Sequence, residues 1–132
     1  MKILIAEDNT DHAVLLEQIL SDFGVCVVVS NGVEAVEAFT SAWLDKAPFD
    51  LMCLDVLMPK MNGIEALSRI RKLEDGMGIG GFNRMRIVMT TALEEDENIE
   101  EAMKAGCDGY VYKSGGGRKL IAQLKTLGLI KD

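Results

Sequence analysis

Short apolar segments alternate five times with segments of helical periodicity along this chain, and this order is the strongest constraint on its fold. The apolar segments, rich in β-branched and aromatic residues, are 2–6, 25–29, 51–54, 87–89 and 110–112. Segments with apolar residues every three or four positions follow them, at about 10–23, 33–46, 62–74, 95–105 and 119–127. Five such units in series predict an α/β protein with a doubly wound, five-stranded parallel sheet, right-handed crossovers and helices on both faces.

The third apolar segment, 51–54, marks the middle of the predicted sheet. Its sequence, Leu-Met-Cys-Leu, shows no polar alternation. Such a strand is covered on both faces, as an inner strand of a parallel sheet is. The chain has 132 residues, of which 48% are hydrophobic, and we find no internal repeat or linker. We therefore expect one domain over residues 1–132 with a core of its own.

Composition disfavours several classes of protein. With a net charge of -7, the chain lacks the basic surface that would neutralise nucleic-acid phosphates. No apolar run approaches the roughly 18–20 residues of a membrane span, and the acidic residues after residue 6 exclude a signal peptide. The three cysteines are odd in number and fit no metal-binding spacing, while Cys26 and Cys53 lie in apolar runs as core residues do. We expect a cytoplasmic protein without direct contact to nucleic acid or membrane.

Polar residues end four of the five predicted strands. Glu7 and Asp8 follow the first strand, Asp55 the third, Thr91 the fourth and Lys113 the fifth. In an open α/β sheet, ligands bind at the carboxyl ends of the strands, where these side chains would meet.

Each of these residues also has an ordinary structural interpretation. Glu7 and Asp8 can cap a helix, and Asp55 can belong to a turn. Thr91 can also be a helix cap, and Lys113 a solvated charge. Packing requires none of the five, however, and three neighbouring carboxylates repel one another unless a cation compensates. Clustered oxygen ligands with open positions suit Mg²⁺, and a carboxylate can act as a nucleophile toward phosphorus. Together, the clustered acids, Thr91 and Lys113 indicate phosphoryl transfer, a reaction that depends on positioning and on neutralising the phosphoryl oxygens.

The residues at these strand ends belong to longer motifs. The chain resembles the response-regulator receiver family over essentially its whole length. The resemblance rests on four motifs: Glu7-Asp8-Asn9, the nine residues 55–63 (Asp-Val-Leu-Met-Pro-Lys-Met-Asn-Gly), Thr91-Ala92, and Tyr110-Val-Tyr-Lys113. It implies a flavodoxin-like fold with strand order 2-1-3-4-5 and a two-component phosphorelay function.

The resemblance also implies a role for each site residue. Asp55 would be the phosphoacceptor, and Lys113 would contact the phosphoryl group. Asp8 and Asp55 would bind Mg²⁺ directly with the backbone carbonyl of Leu57, and Glu7 would act through a metal-bound water. Two further residues would form the switch: Thr91 would follow the phosphoryl group inward, and Tyr110 would swing in behind it.

Partners follow from the same resemblance. The phosphoryl donor would be a sensor histidine kinase or a histidine phosphotransfer protein. It would dock beside the first helix, where His12 and Leu15 face the site edge, although His12 can also be a solvated helix residue. The acidic fourth helix, with the fifth strand and the fifth helix, would form the surface for an effector or a homodimer. We expect a phosphoacceptor switch rather than a classified stand-alone enzyme, and a stand-alone receiver rather than the first domain of a longer protein, although the sequence leaves both open.

Three alternative functions fit these residues less well. A degenerate receiver would serve only as a protein-binding module, but the acceptor, metal acids, threonine and lysine are all present. Phosphatases of the haloacid-dehalogenase type need a second acid two residues after the nucleophile, where this chain has Leu57. Flavodoxin-type FMN binding is disfavoured because Glu7 and Asp8 would repel the phosphate.

One departure from the family pattern, and one pair of apolar residues near the site, carry further expectations. Ser114 and three glycines follow Lys113 in place of the usual proline, which often forms a cis bond. A cis bond before a non-proline residue costs about 2.5–4 kcal/mol, and each glycine weakens a helix start by about 1 kcal/mol. We therefore expect a mobile loop and a late start of the fifth helix near residue 119. By the resemblance, Leu57 and Leu93 would flank the path of attacking water, and since neither can hydrogen-bond a water molecule, they predict slow self-dephosphorylation, unless they merely fill surface grooves.

Overall fold

One five-stranded parallel sheet organises the whole protein. The structure, a computed structural model, describes residues 1–92, 96–113 and 116–131. The strands are β1 (Lys2–Ala6), β2 (Val25–Val29), β3 (Leu51–Asp55), β4 (Arg86–Thr91) and β5 (Gly109–Tyr112). The helices are α1 (Thr10–Leu20), α2 (Gly32–Leu44), α3 (Gly63–Gly76), α4 (Asp96–Ala105) and α5 (Gly116–Thr126). The strand order is β2-β1-β3-β4-β5, as the sequence motifs implied.

Strand β3 lies at the centre of the sheet, between β1 and β4, and all five of its residues are buried. Successive side chains along a strand point to opposite faces, so the sheet separates two apolar cores. One core contains Met52 and Leu54 with residues of α2 and α3, and the other contains Leu51 and Cys53 with residues of α1 and α5. The continuous apolar run of β3 is therefore explained by burial on both faces.

Three helices begin at an asparagine that follows a strand or its loop. The side chains of Asn9, Asn31 and Asn62 cap α1, α2 and α3, each accepting a backbone N–H at 2.9 Å. Asparagine is favoured at this position because its side-chain oxygen satisfies an otherwise unpaired helix donor. Since Asn9 is the cap of α1, Glu7 and Asp8 are not needed for capping.

The predicted start of the fifth helix is wrong. Helix α5 begins at Gly116 rather than near residue 119. A side chain at Gly117 would meet the end of the Ile19 side chain at 3.0 Å, so the absence of one lets α5 pack closely against α1. Tertiary packing outweighs the low helix propensity of glycine here. The expected mobile loop and the Lys113–Ser114 bond involve residues 114 and 115, outside the described residues.

A buried ionic cluster that no sequence motif predicts lies at the amino end of β4. The Arg71 guanidinium on α3 donates to the Glu74 carboxylate at 2.7 Å and to the Met85 carbonyl at 2.8 Å. It also donates to the Gly106 carbonyl at 2.9 Å and the Asp108 carboxylate at 2.8 Å. One side chain thus ties α3 to the start of β4 and to the connection between α4 and β5.

The prediction that Cys26 and Cys53 are core residues is confirmed in part. Cys53 is buried in the core, whereas Cys26 on the edge strand β2 is only partly buried; both, with Cys107, are free thiols. None of the helices in the described ranges combines the length and the apolar character that a bilayer crossing demands.

Candidate functional site

The carboxyl edge of the sheet brings the predicted site residues together. Asp55 and Thr91 are the last residues of β3 and β4, Glu7 directly follows β1, and Lys113 directly follows β5. Because the four strands are adjacent and parallel, their ends meet at this edge. Carboxylate oxygens of Glu7, Asp8 and Asp55 all lie within 4.8 Å of one another.

Lys113 supplies a positive charge to this acidic cluster. Its Nζ lies 2.6 Å from Glu7 Oε1 and 3.3 Å from Asp55 Oδ2. The lysine side chain is 18% exposed, while Glu7 and Asp55 are buried, so these contacts are largely shielded from water. The alternative of a solvated surface lysine is therefore wrong.

The pKa values of the two buried carboxylates, Glu7 and Asp55, are shifted in opposite directions. Burial raises the pKa of Asp55 to about 7, with a further contribution from its hydrogen bond to Glu7 and from the Glu7 charge, against the opposing effect of Lys113. Burial also acts to raise the pKa of Glu7, but hydrogen bonds with Lys113, Asp55 and the Asn9 backbone N–H lower it below its ordinary value. Near neutral pH the pair therefore carries less than its full negative charge, and a bound dication would favour the ionised form of Asp55.

Burial likewise acts to lower the pKa of Lys113, but its contacts with Glu7 and Asp55 raise it above the ordinary value. The ammonium group thus stays charged at neutral pH. A charged lysine beside two buried acids is an arrangement that would attract an anionic phosphoryl group together with a cation.

The loop after β3 is shaped by a close approach of backbone to backbone. A side chain at Gly63, the first residue of α3, would collide with the Asp55 carbonyl oxygen. The Gly63 N–H donates to the Val56 carbonyl at 2.8 Å, and Lys60 takes a φ of 68°. Gly63 was part of the quoted motif but had no assigned role; it lets α3 begin close to Asp55. The predicted ligand role of the Leu57 carbonyl stays a prediction, and the Leu57 side chain is 57% exposed.

The two predicted switch residues lie on neighbouring strands. Thr91 is 1% exposed at the end of β4, and it pairs in register with Tyr112 on β5. Tyr110 is partly buried, and its ring meets that of Tyr112 edge-to-face with centroids 5.7 Å apart. Their movement on phosphorylation stays a prediction.

The two predicted partner-face residues of α1 point in different directions. Leu15 is 45% exposed, as a docking residue must be. His12, in contrast, is only 18% exposed in its side chain, and its Nδ1 lies 2.7 Å from Glu7 Oε1. Burial and the nearby Lys113 charge lower the pKa of His12, although Glu7 opposes them. The interpretation of His12 as a solvated residue is wrong. Leu93, Glu94 and Glu95 fall outside the described residues.

Comparison with known proteins agrees with this geometry. The sequence profile of the response regulator receiver domain matches residues 3–125. The chain is 34% identical over 113 residues to the chemotaxis protein CheY of Halobacterium salinarum, covering 85% of this chain and 83% of that protein. It is 32% identical to the transcriptional regulatory protein CpxR homolog of Haemophilus influenzae, covering 96% of this chain but only 49% of that longer protein.

A solved structure extends the likeness to three dimensions. The receiver domain of the histidine kinase CKI1 from Arabidopsis thaliana, complexed with Mg²⁺ and BeF₃⁻, is 26% identical to this chain with a TM-score of 0.84. The match covers 96% of this chain and 89% of that one. The fold, the acidic strand ends and the sequence profile converge on one result: the chain belongs to the response regulator receiver domain family.

Proposed function

We propose that Asp55 of this receiver domain accepts a phosphoryl group from a histidine kinase or a histidine phosphotransfer protein. The observation that carries the proposal is the position of the Asp55 carboxylate at the end of the central strand, with Lys113 Nζ 3.3 Å away and two further acids beside it. The protein acts as a two-component response regulator, a switch rather than a stand-alone enzyme.

The acidic cluster fits Mg²⁺. Three carboxylates within 4.8 Å, those of buried Glu7 and Asp55 and of exposed Asp8, offer hard oxygen ligands. Burial, together with the hydrogen bond to Glu7 and the Glu7 charge, raises the pKa of Asp55 despite the nearby Lys113, and a bound cation would favour its ionised form. Asp8 and Asp55 would hold the ion with the Leu57 carbonyl, and Glu7 would act through a water molecule. The bound ion would neutralise the phosphoryl oxygens.

In the transfer step, an oxygen of Asp55 attacks the phosphorus of a phosphohistidine. The Asp55 oxygen–phosphorus bond forms while the nitrogen–phosphorus bond breaks, and the bonding pair stays on the imidazole nitrogen. Lys113 stabilises the negative charge that the phosphoryl oxygens bring to Asp55. Thr91 then binds the phosphoryl group, and Tyr110 moves inward behind it.

Two surfaces of the protein would contact partners. The exposed side chains of Val14 and Leu15 on α1 would meet the phosphodonor beside the site. Helix α4, strand β5 and helix α5 would contact an effector or a second copy of the chain. We place the protein in the cytoplasm, where free thiols such as those of its three cysteines persist.

A labelling experiment tests the proposed function. The chain is incubated with acetyl phosphate and Mg²⁺, and the intact mass is followed for addition of one phosphoryl group. The natural chain and the control Asp45→Asn, which changes an exposed aspartate at the end of α2, should be labelled. Asp55→Asn should not be. A natural chain that binds Mg²⁺ but takes no label would favour the degenerate binding module, and labelling of Asp55→Asn would refute the assignment of the acceptor.

A further inference from the structure

The first turn of α1 places the imidazole of His12 beside the acidic cluster. His12 Nδ1 lies 2.7 Å from Glu7 Oε1, and the Glu7 side chain is wholly buried. The cap holds this turn in place, because the His12 backbone N–H donates to Asn9 Oδ1 at 2.9 Å. The Asn9 backbone N–H in turn donates to Glu7 Oε2 at 3.2 Å. The Glu7 carboxylate is therefore contacted at both oxygens.

The contact requires a specific tautomer of His12. Two acceptor atoms 2.7 Å apart would repel, so Nδ1 must carry the proton and face the carboxylate as a donor. Both atoms are shielded from solvent, and within the described residues neither makes a well-aligned hydrogen bond. The distance is that of a hydrogen bond although the alignment is poor, as is common at reaction sites before the ligand is bound.

The two side chains near Glu7 Oε1 differ in the number of carboxylates that each contacts. Lys113 is shared, since its Nζ also lies 3.3 Å from Asp55. Within the described part of the chain, His12 contacts the carboxylate of Glu7 and no other. The imidazole is thus the donor dedicated to orienting this carboxylate.

We propose that His12 is a positioning residue for the metal site: its Nδ1–H fixes the orientation of the Glu7 carboxylate and so sets the affinity for Mg²⁺. The inference rests on the proposed metal site. Groups that hydrogen-bond a metal ligand typically contribute about 10–100-fold to metal affinity, and because Glu7 acts through a water molecule, we expect His12 to lie at the low end of this range. His12 acts on the ion only through Glu7.

The test compares two substitutions at one position. His12→Leu removes the donor and keeps the bulk, whereas His12→Asn retains an N–H donor at the place of Nδ1. Mg²⁺ affinity of the unphosphorylated chain is measured by titration calorimetry. His12→Leu should weaken it by about tenfold, and His12→Asn should stay close to the natural chain. Gln18→Leu, a polar-to-apolar change at an exposed position of α1, is the matched control and should have no effect.

The outcomes separate this inference from the proposed function. Unchanged affinity in His12→Leu overturns the positioning role while the metal site stands. Equal losses in His12→Leu and His12→Asn also overturn it, because they would indicate a packing role. A natural chain that does not bind Mg²⁺ would overturn the metal site itself. Thermal melting of each variant establishes that it is folded.

Discussion

The buried arginine of α3 allows a quantitative prediction. Arg71 is 8% exposed and makes four hydrogen bonds, two to carboxylates and two to backbone carbonyls. Arg71→Met keeps most of the apolar stem and removes the guanidinium. The carboxylates of Glu74 and Asp108 then lose their buried cation, although each still accepts a backbone N–H at 2.8 Å.

The size of the stability loss follows from the carboxylates that remain without the buried guanidinium. Removing one partner of a buried ion pair costs about 3–5 kcal/mol, because the other charge stays buried without compensation. A domain of ordinary stability has about 5–15 kcal/mol in total, so the loss is a large fraction of it. With a urea m-value of about 1–3 kcal/mol/M, a loss of 3 kcal/mol lowers the unfolding midpoint by about 1–3 M.

Urea unfolding followed by far-ultraviolet circular dichroism measures this loss. The control is Arg69→Met on the same helix, where an exposed arginine lies 3.6 Å from Glu65. That surface pair is worth about 0.3–0.5 kcal/mol. Adding Glu74→Gln to Arg71→Met should recover part of the loss, since it removes one stranded charge. Equal midpoints for Arg71→Met and Arg69→Met would refute the reasoning.

Four further predictions concern the site. Asp8→Asn should weaken Mg²⁺ binding and phosphorylation together; unchanged affinity by calorimetry would contradict its ligand role. In metal-free protein, burial raises the pKa of Asp55 to about 7, above its value in the unfolded chain. Ionisation of Asp55 therefore opposes folding, increasingly so as the pH rises from about 4 to 7. Asp55→Asn should therefore raise the melting temperature more at pH 8 than at pH 5, and an equal rise would exclude this linkage. Phosphoryl decay after donor removal should be slow, and faster in Leu57→Asn with Leu93→Glu, because polar side chains can position water; equal decay would show that these positions do not control it. Leu15→Ala should slow transfer from the cognate kinase but not labelling by acetyl phosphate; unchanged kinase transfer would remove α1 from the docking face.

Much of the architecture is encoded in short stretches of sequence. The apolar run of β3 identifies an inner strand because only burial on both faces tolerates it, and the asparagines before α1, α2 and α3 mark where helices begin. Acids, threonine and lysine at strand ends predict a shared site because parallel strands end at one edge. These signals are local, so they are visible without any knowledge of contacts between distant residues.

Other features exist only in the folded chain. Arg71 and Glu74 look like solvated charges of an amphipathic helix, and their burial depends on Asp108, 37 residues beyond Arg71. The start of α5 at Gly116 contradicts glycine propensity because close packing against Ile19 outweighs it. The sequence places His12 near the site edge, but only the folded turn capped by Asn9 brings its imidazole against Glu7. Sequence periodicity tells which face of an element is apolar, but whether a charged side chain is buried depends on the partners that tertiary structure brings within a few ångströms, since only those partners offset its desolvation.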